Sequence, residues 1–226
     1  MPLRSIEDLL DPEPRTIEDR LREEYFDFLP EIRRVVWQLE AEIRYYTLPI
    51  LHDLKPYEQL VVKSRVKECE SAIKTLRRES LKNEGNEGRI FDPGKSGRYC
   101  ILSLPDLAGV RVLVFPNSRF IEVDNELREH FPGWTSKPVK DDSGVALAPK
   151  YYGNCHSVST WVRGEYQVVP MLLGLFWEVE HSAMYKFKEV AESPQMKQLR
   201  ADVERSLSLF EEGIERFVQD YTEPKN

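Results

Sequence analysis

Cysteine is scarce in this chain: Cys69, Cys100 and Cys155 are the three in 226 residues, widely spaced and without a CxxC pair. That argues against a disulfide framework and fits a reducing cytosol. No run approaches the roughly 20 apolar residues that a membrane span needs. Pro2, Arg4, Glu7 and Asp8 interrupt any apolar leader at the start. Nor is there an excess of positive charge. With 32 Lys and Arg against 39 Asp and Glu, the net charge of −7 argues against a broad nucleic-acid surface but leaves room for a local basic pocket. Internal repeats and long low-complexity stretches are absent as well. The chain is therefore expected to be soluble and cytoplasmic, with no membrane contact.

What is present is a hydrophobic share of 41% beside 31% charged residues, enough for a sizeable core. Three regions are expected: a helical region over 1–56 packed on the core, the core itself over 57–190, and a C-terminal helix over 191–226. Thr16 and Asp19 form a capping pair for helix 16–53, and Pro30 predicts a break in it. Pro49 is expected to end or kink the following stretch. Strands are predicted at Leu60–Val66 and Gly109–Phe115, and helices at 68–79 and 119–130. The turn over 141–148 leads into a further strand. Strands 157–162 and 166–169 read as a hairpin around Arg163-Gly164. A helix opens at Pro170 and runs to Lys188. The last helix, 196–221, has Leu199, Val203, Leu207, Phe210, Ile214 and Phe217 on one face. The fold class is α+β: a mixed sheet of about five strands flanked by helices at both chain ends.

Two separated acids carry the chemistry. Asp106 stands in Asp106-Leu107-Ala108-Gly109-Val110-Arg111, directly before one strand, and Glu165 opens another. A magnesium-dependent phosphoryl-transfer site needs such hard oxygen ligands, with cations nearby for the phosphates. The loop over 81–99 is rich in glycine and carries Lys82, Arg89, Lys95 and Arg98, a set able to close over phosphates.

From about Tyr57 to Lys188 the chain resembles the synthetase domain of the RelA/SpoT family, in its small alarmone synthetase form. Four blocks in order carry the resemblance: Ser64-Arg65-Val66-Lys67 with Ser71, the Asp106–Arg111 segment, Glu165-Tyr166-Gln167, and Val179-Glu180-His181 with Tyr185-Lys186. The resemblance implies a nucleotidyltransferase-like sheet and transfer of the β,γ-pyrophosphate of ATP to a 3′-hydroxyl, with Mg2+ held by Asp106 and Glu165. It implies a catalytic set of Asp106, Glu165 and Gln167, in which Glu165 assists deprotonation of the hydroxyl. ATP would be held by Arg65, Lys67, Ser71, Arg78 and Arg111, with Arg65 and Arg111 sandwiching adenine. Glu180 and His181 would support the site from behind.

The acceptor side departs from the family pattern. Where the family reads GYRSLH, this chain has Gly153-Asn154-Cys155-His156-Ser157-Val158, and the arginine of EVQIRT becomes Val169. An aromatic stacker and two cations for a 5′-phosphate are thereby lost. Lys150, Tyr151, Tyr152 and Asn154 remain as the acceptor-binding residues. Three readings follow: a toxin-like enzyme that modifies the 3′-CCA end of tRNA, with an antitoxin protein as a possible partner; a synthetase acting on guanosine or adenosine nucleotides; and a non-catalytic nucleotide sensor. An oligomer is compatible with each.

Overall fold

The computed structural model describes residues 16–83, 100–140, 146–155, 159, 162–184 and 193–222. Thr16 and Asp19 close the expected capping box and open α1 (Ile17–Tyr46). The break predicted at Pro30 does not occur. A helix-interior proline costs about 3 kcal/mol. Seven buried side chains on either side of it, from Leu21 to Ile43, lock the helix onto the sheet, each worth about 1.5–3 kcal/mol. Pro30 also lies on the exposed face, where water reaches the backbone. The division expected at Pro49 does occur: α1 stops at Tyr46 with Thr47 as its C-cap, and a new helix begins just before the proline. Pro49 sits in the first turn of α2 (Leu48–Asp53), where its missing N–H costs nothing.

The strands are β1 (Gln59–Val66), β2 (Ala108–Phe115), β3 (Thr135–Ser136), β4 (Val139–Lys140), β5 (Ala146–Ala148), β6 (Lys150–Asn154) and β7 (Arg163–Pro170). The main sheet has the order β1-β2-β7-β6-β3, while β4 and β5 form a separate pair. Within the main sheet β2 and β7 run parallel, and the other pairs are antiparallel. Helices α3 (Cys69–Asn83), α4 (Phe120–His130), α5 (Met171–Met184) and α6 (Pro194–Thr222) complete the fold.

The hairpin expected around Arg163-Gly164 is not formed. Both residues belong to β7, and the antiparallel partner of β7 is β6. Ser159 lies outside any strand, accepting from the Val162 N–H at its hydroxyl and donating its own N–H to the Cys155 carbonyl. Residues 156–158, 160 and 161 lie outside the described residues.

Alternation divides the main sheet into two chemically different faces. Val62, Val110, Val112, Tyr166, Val168 and Tyr151 share the core with the inner face of α1 and with Val123 and Leu127 of α4. The opposite face is apolar only at one end, where Leu113 and Val169 cluster with Met171 and Leu173 of α5. Gly174 makes that contact possible, because a Cβ there would lie 2.4 Å from Leu113 Cδ2. The apolar face expected on α6 is split: Val203, Leu207 and Ile214 are half-buried, whereas Leu199, Phe210 and Phe217 are exposed.

Gly174→Val is expected to lift α5 off Leu113 and to destabilise the fold by about 1–3 kcal/mol, the usual cost of overpacking. Urea unfolding followed by circular dichroism measures this, and an unchanged midpoint would refute the close contact.

Candidate active site

The uncovered part of the second face is polar, and strand register assembles it. Arg65 of β1 stands opposite Gly109 of β2, Gly109 opposite Glu165 of β7, and Glu165 opposite Tyr152 of β6. The next row on the same face is Lys63, Arg111, Gln167 and Lys150. The glycine has a steric purpose. A Cβ on Gly109 would come within 3.3 Å of Arg65 Cγ and Nε, so its absence lets the arginine lie across β2.

Hydrogen bonds link the rows. Arg111 Nε donates to Gln167 Oε1 at 3.3 Å, and Gln167 Nε2 donates to Glu165 Oε1 at 2.8 Å. The second Glu165 oxygen faces Lys150 Nζ at 3.3 Å. Glu165 is only 2% exposed, and this Oε2 makes no hydrogen bond of good geometry. Asp106 lies in the turn before β2, where Lys67 Nζ donates to its Oδ2 at 2.5 Å; its Oδ1 is buried without a hydrogen-bond partner. Burial and the neighbouring Arg65 push the Arg111 guanidinium below the usual arginine value. Burial, then the Glu165 carboxylate, raises the Tyr152 phenol, which therefore stays neutral at ordinary pH.

Asp106 and Glu165 thus each present one buried carboxylate oxygen with spare acceptor capacity. That donor set fits magnesium, which takes one or two protein carboxylates and fills its remaining positions with water and substrate phosphate. Among the described residues no group of three or more His, Cys, Asp or Glu side chains could hold a metal, so a closed site of the structural zinc type is not formed there.

Asp106, Glu165, Gln167, Arg65, Lys67, Arg111, Lys150 and Tyr152 therefore lie on or beside one polar floor. Ser71 and Arg78 are carried by α3, which starts just beyond Lys67. Lys82 is in the same helix with its side chain outside the described residues, as is the side chain of His181 in α5. Arg89, Lys95 and Arg98 lie outside the described residues.

Two assignments need correction. Tyr151 is on the wrong face for an acceptor: it stacks on Tyr166 with ring centroids 4.6 Å apart and donates to Asp124 Oδ1 of α4 at 2.8 Å. Period-two alternation sends Tyr152 to the polar face and Tyr151 to the core. Glu180 accepts from Arg200 of α6 at 2.7 Å, so it joins two helices rather than backing the site acids. The α5 acid that reaches the sheet is Glu178, paired with Lys63 at 2.8 Å. Sequence reasoning missed this pair, although Lys63 stands two residues before Arg65 and so shares its face.

Asn154 borders a cavity of about 520 Å³ that is also lined by Tyr152, Trp134, His130, Glu42 and Arg163. Its Oδ1 is buried without a hydrogen-bond partner. Trp134, also missed, is accommodated by two glycines. A Cβ on Gly153 would sit 2.4 Å from its ring, and one on Gly164 3.3 Å from it.

No family model matches the chain, and no curated protein does. Solved structures do. Small alarmone synthetase 1 from Bacillus subtilis aligns over 88% of this chain and 98% of its own, at 18% identity and a TM-score of 0.62. The same protein bound to its product pppGpp aligns over 89% and 100%, at 19% identity and 0.63. A GTP pyrophosphokinase family protein from Streptococcus pneumoniae aligns over 88% and 94%, at 18% and 0.58. The chain has the fold of the small alarmone synthetases.

The two neighbouring tyrosines separate stability from ligand contact. Tyr151→Phe is expected to lower stability by about 1–3 kcal/mol, since it leaves the half-buried Asp124 without its phenol donor. Tyr152→Phe is expected to leave stability nearly unchanged. Thermal unfolding of the two variants side by side checks the assignment, and the reverse order would refute it.

Proposed function

We propose that this chain is an ATP-dependent pyrophosphokinase that moves the β,γ-pyrophosphate of ATP to a 3′-hydroxyl. The observation that carries the reading is that Asp106 and Glu165 each keep one buried carboxylate oxygen with spare acceptor capacity, on a floor lined with cations. A fold shared with proteins crystallised with pppGpp and with AMPCPP supports it. Magnesium bound at Asp106 and Glu165 would draw charge from the transferred phosphates.

The protein's own groups have distinct tasks. Arg65 and Arg111 offer planar guanidinium faces, and such planes stack on a purine base where an ammonium cannot. Lys67 and Lys150 neutralise the two acids in the free protein. Were those acids to hold a magnesium ion, the same lysines would be available to polyphosphate oxygens. Gln167 holds Glu165 through Oε1, leaving Oε2 to take the proton of the attacking hydroxyl. Arg65, Arg111 and Gln167 are in place before the reaction, so stabilising the spread charge of the phosphoryl transition state asks rearrangement chiefly of the two lysines.

The acceptor proposed is the 3′-terminal adenosine of a tRNA CCA end. Val169 is buried in the α5 cluster, so the family arginine of that strand has no counterpart at this position. Cys155 is also buried, its thiol pushed up to about 12 mainly by burial, so it contributes no charge. A nucleoside 5′-diphosphate would thus lack two cations, whereas an RNA 3′ end brings no terminal 5′-phosphates into the site. Guanosine and adenosine nucleotides are the second reading, supported by the pppGpp-bound neighbour. The protein would act as a soluble cytoplasmic enzyme, and an antitoxin protein is a partner consistent with this activity.

Asp106→Asn and Glu165→Gln are each expected to lower pyrophosphate transfer by roughly 10²-fold or more. Either variant turning over normally with magnesium, while folded by circular dichroism, would sink the assignment. Arg65→Ala and Arg111→Ala should each weaken binding of a non-hydrolysable ATP analogue by about 0.5–2 kcal/mol in calorimetry. Incubation with γ-labelled ATP and separate acceptors tests the rest: label on deacylated tRNA is expected, label on GDP or GTP alone selects the second reading, and no label on any acceptor rejects a pyrophosphokinase.

A further inference from the structure

The cavity beside Asn154 adjoins the polar floor without belonging to it. β3 ends at Thr135, opposite Tyr152, so β6 has no strand neighbour on that side from Gly153 onward. The cavity opens at this margin of the sheet. Alternation sends Tyr152, Asn154 and Arg163 to the face of Glu165, and Gly153 and Cys155 to the other. All five line the cavity, so it wraps the margin from one face to the other. Asn154 stands opposite Arg163, one row beyond Tyr152 and Glu165. That is two residues along the strand, or about 7 Å.

The wall of the cavity carries a flat ring and unspent polar groups. A Cβ on Gly153 would sit 2.4 Å from Cδ2, Cε2 and Nε1 of Trp134 alike, so the indole lies face-on over that glycine. Phe131 and Tyr166 hold the ring at centroid distances of 5.1 and 5.3 Å. Glu42 of α1 accepts from Gln38 Nε2 at 2.7 Å, and among the described residues neither Glu42 nor Arg163 has an ion-pair partner. Asn154 Oδ1 is buried without a hydrogen-bond partner. The oxygens of Glu42 and Asn154 call for an amino group, and Arg163 offers donors beside them. Cytosine presents that pattern, an N4 amino group that donates to carboxylates next to the acceptors N3 and O2. Uracil would set a carbonyl oxygen against the same two acceptors, which leaves them unpaired.

We propose that this cavity is a subsite for the cytosine that precedes the terminal adenosine of an RNA 3′ end, with Trp134 as its stacking platform and Glu42, Asn154 and Arg163 reading its edge. The inference rests on the acceptor proposed above and adds what selects it. With the terminal 3′-hydroxyl beside Glu165, the preceding nucleotide leaves the floor across the row of Asn154 and Arg163, within the reach of one unstacked nucleotide. Single-stranded RNA ends are read in this manner, with splayed bases stacked on aromatic rings and hydrogen-bonded at their edges. A free nucleoside diphosphate has no second base and leaves the cavity empty.

The test compares transfer from γ-labelled ATP to one deacylated tRNA made with either a CCA or a CUA end. The value of kcat/KM is expected to be at least about tenfold higher for CCA. Glu42→Ala and Asn154→Ala should each bring that ratio near one, a change that mere destabilisation of the protein does not produce. Trp134 is tested without turnover. The same tRNA carrying 5-iodocytidine before its terminal adenosine, irradiated in complex with the full chain, should cross-link to Trp134, as read by peptide mass spectrometry. Equal transfer to CCA and CUA ends, a ratio that neither variant moves, or a cross-link outside the cavity overturns the subsite and leaves a tRNA-labelling pyrophosphokinase standing. Label on free nucleotides alone overturns the subsite together with the tRNA acceptor, and no label on any acceptor overturns both along with the activity.

Discussion

The parallel register of β7 on β2 is the constraint from which the site follows. It sets Gly109 beside Glu165 and Arg111 beside Gln167. The polar face contributes less to this alignment, since the side-chain hydrogen bond there between β2 and β7 is Arg111 to Gln167, a contact of a charged group worth about 1.5–3 kcal/mol. The enforcing residues point the other way. Val110, Val112, Tyr166 and Val168 are buried beneath α1 and α4, each worth about 1.5–3 kcal/mol. A slip of one residue would bring the whole apolar set to the polar side. Apolar packing on one face of the sheet therefore holds the polar geometry of the other.

The limits of the polar floor are set by α5. Gly174 lets that helix settle onto Leu113, and Met171 and Leu173 pack with Val169, so the C-terminal ends of β2 and β7 are closed. Among the described residues this apolar cluster stops short of the stretch bearing Gly109, Arg111, Glu165 and Gln167. The same helix then sends Glu178 back to Lys63, so the element that closes the floor also fixes one of its cations. α6 holds α5 in turn through Arg200 and Glu180. The C-terminal helix thus bears on the site at one remove, without contributing a side chain to it.

Strands that carry their own pattern were legible in the sequence. β1, β2 and the apolar part of β7 follow from short β-branched runs, and the capping box of α1 from Thr16 and Asp19. Long-range pairing was less accessible. β6 consists of Lys150, Tyr151, Tyr152, Gly153 and Asn154, which alternate weakly in polarity. Nothing local marks it as the partner of β7, so a nearer segment was assigned instead. The two tyrosines illustrate the consequence: composition made both candidates, and strand phase separated them. Pro30 failed as a signal for the opposite reason, because tertiary burial outweighed a local rule. Asp106 and Glu165 were found because their chemistry is restrictive. Glu178 and Lys63 were missed because a surface acid and a surface lysine look alike until a helix brings them together.

The charge pattern of the floor distinguishes neutralised groups from available ones. Asp106 is matched by Lys67, Glu165 by Lys150 and Glu178 by Lys63. Arg65 and Arg111 stand outside these pairs. They share one end of the floor, and Arg65 contributes to lowering the basicity of Arg111. Two guanidiniums held near each other are mutually unfavourable, and an aromatic ring between them would turn that repulsion into two favourable contacts. Gly109 brings the pair together by leaving space for Arg65 to cross β2. The floor of a chain with a net charge of −7 thus keeps two planar cations side by side where an electron-rich base would be welcome.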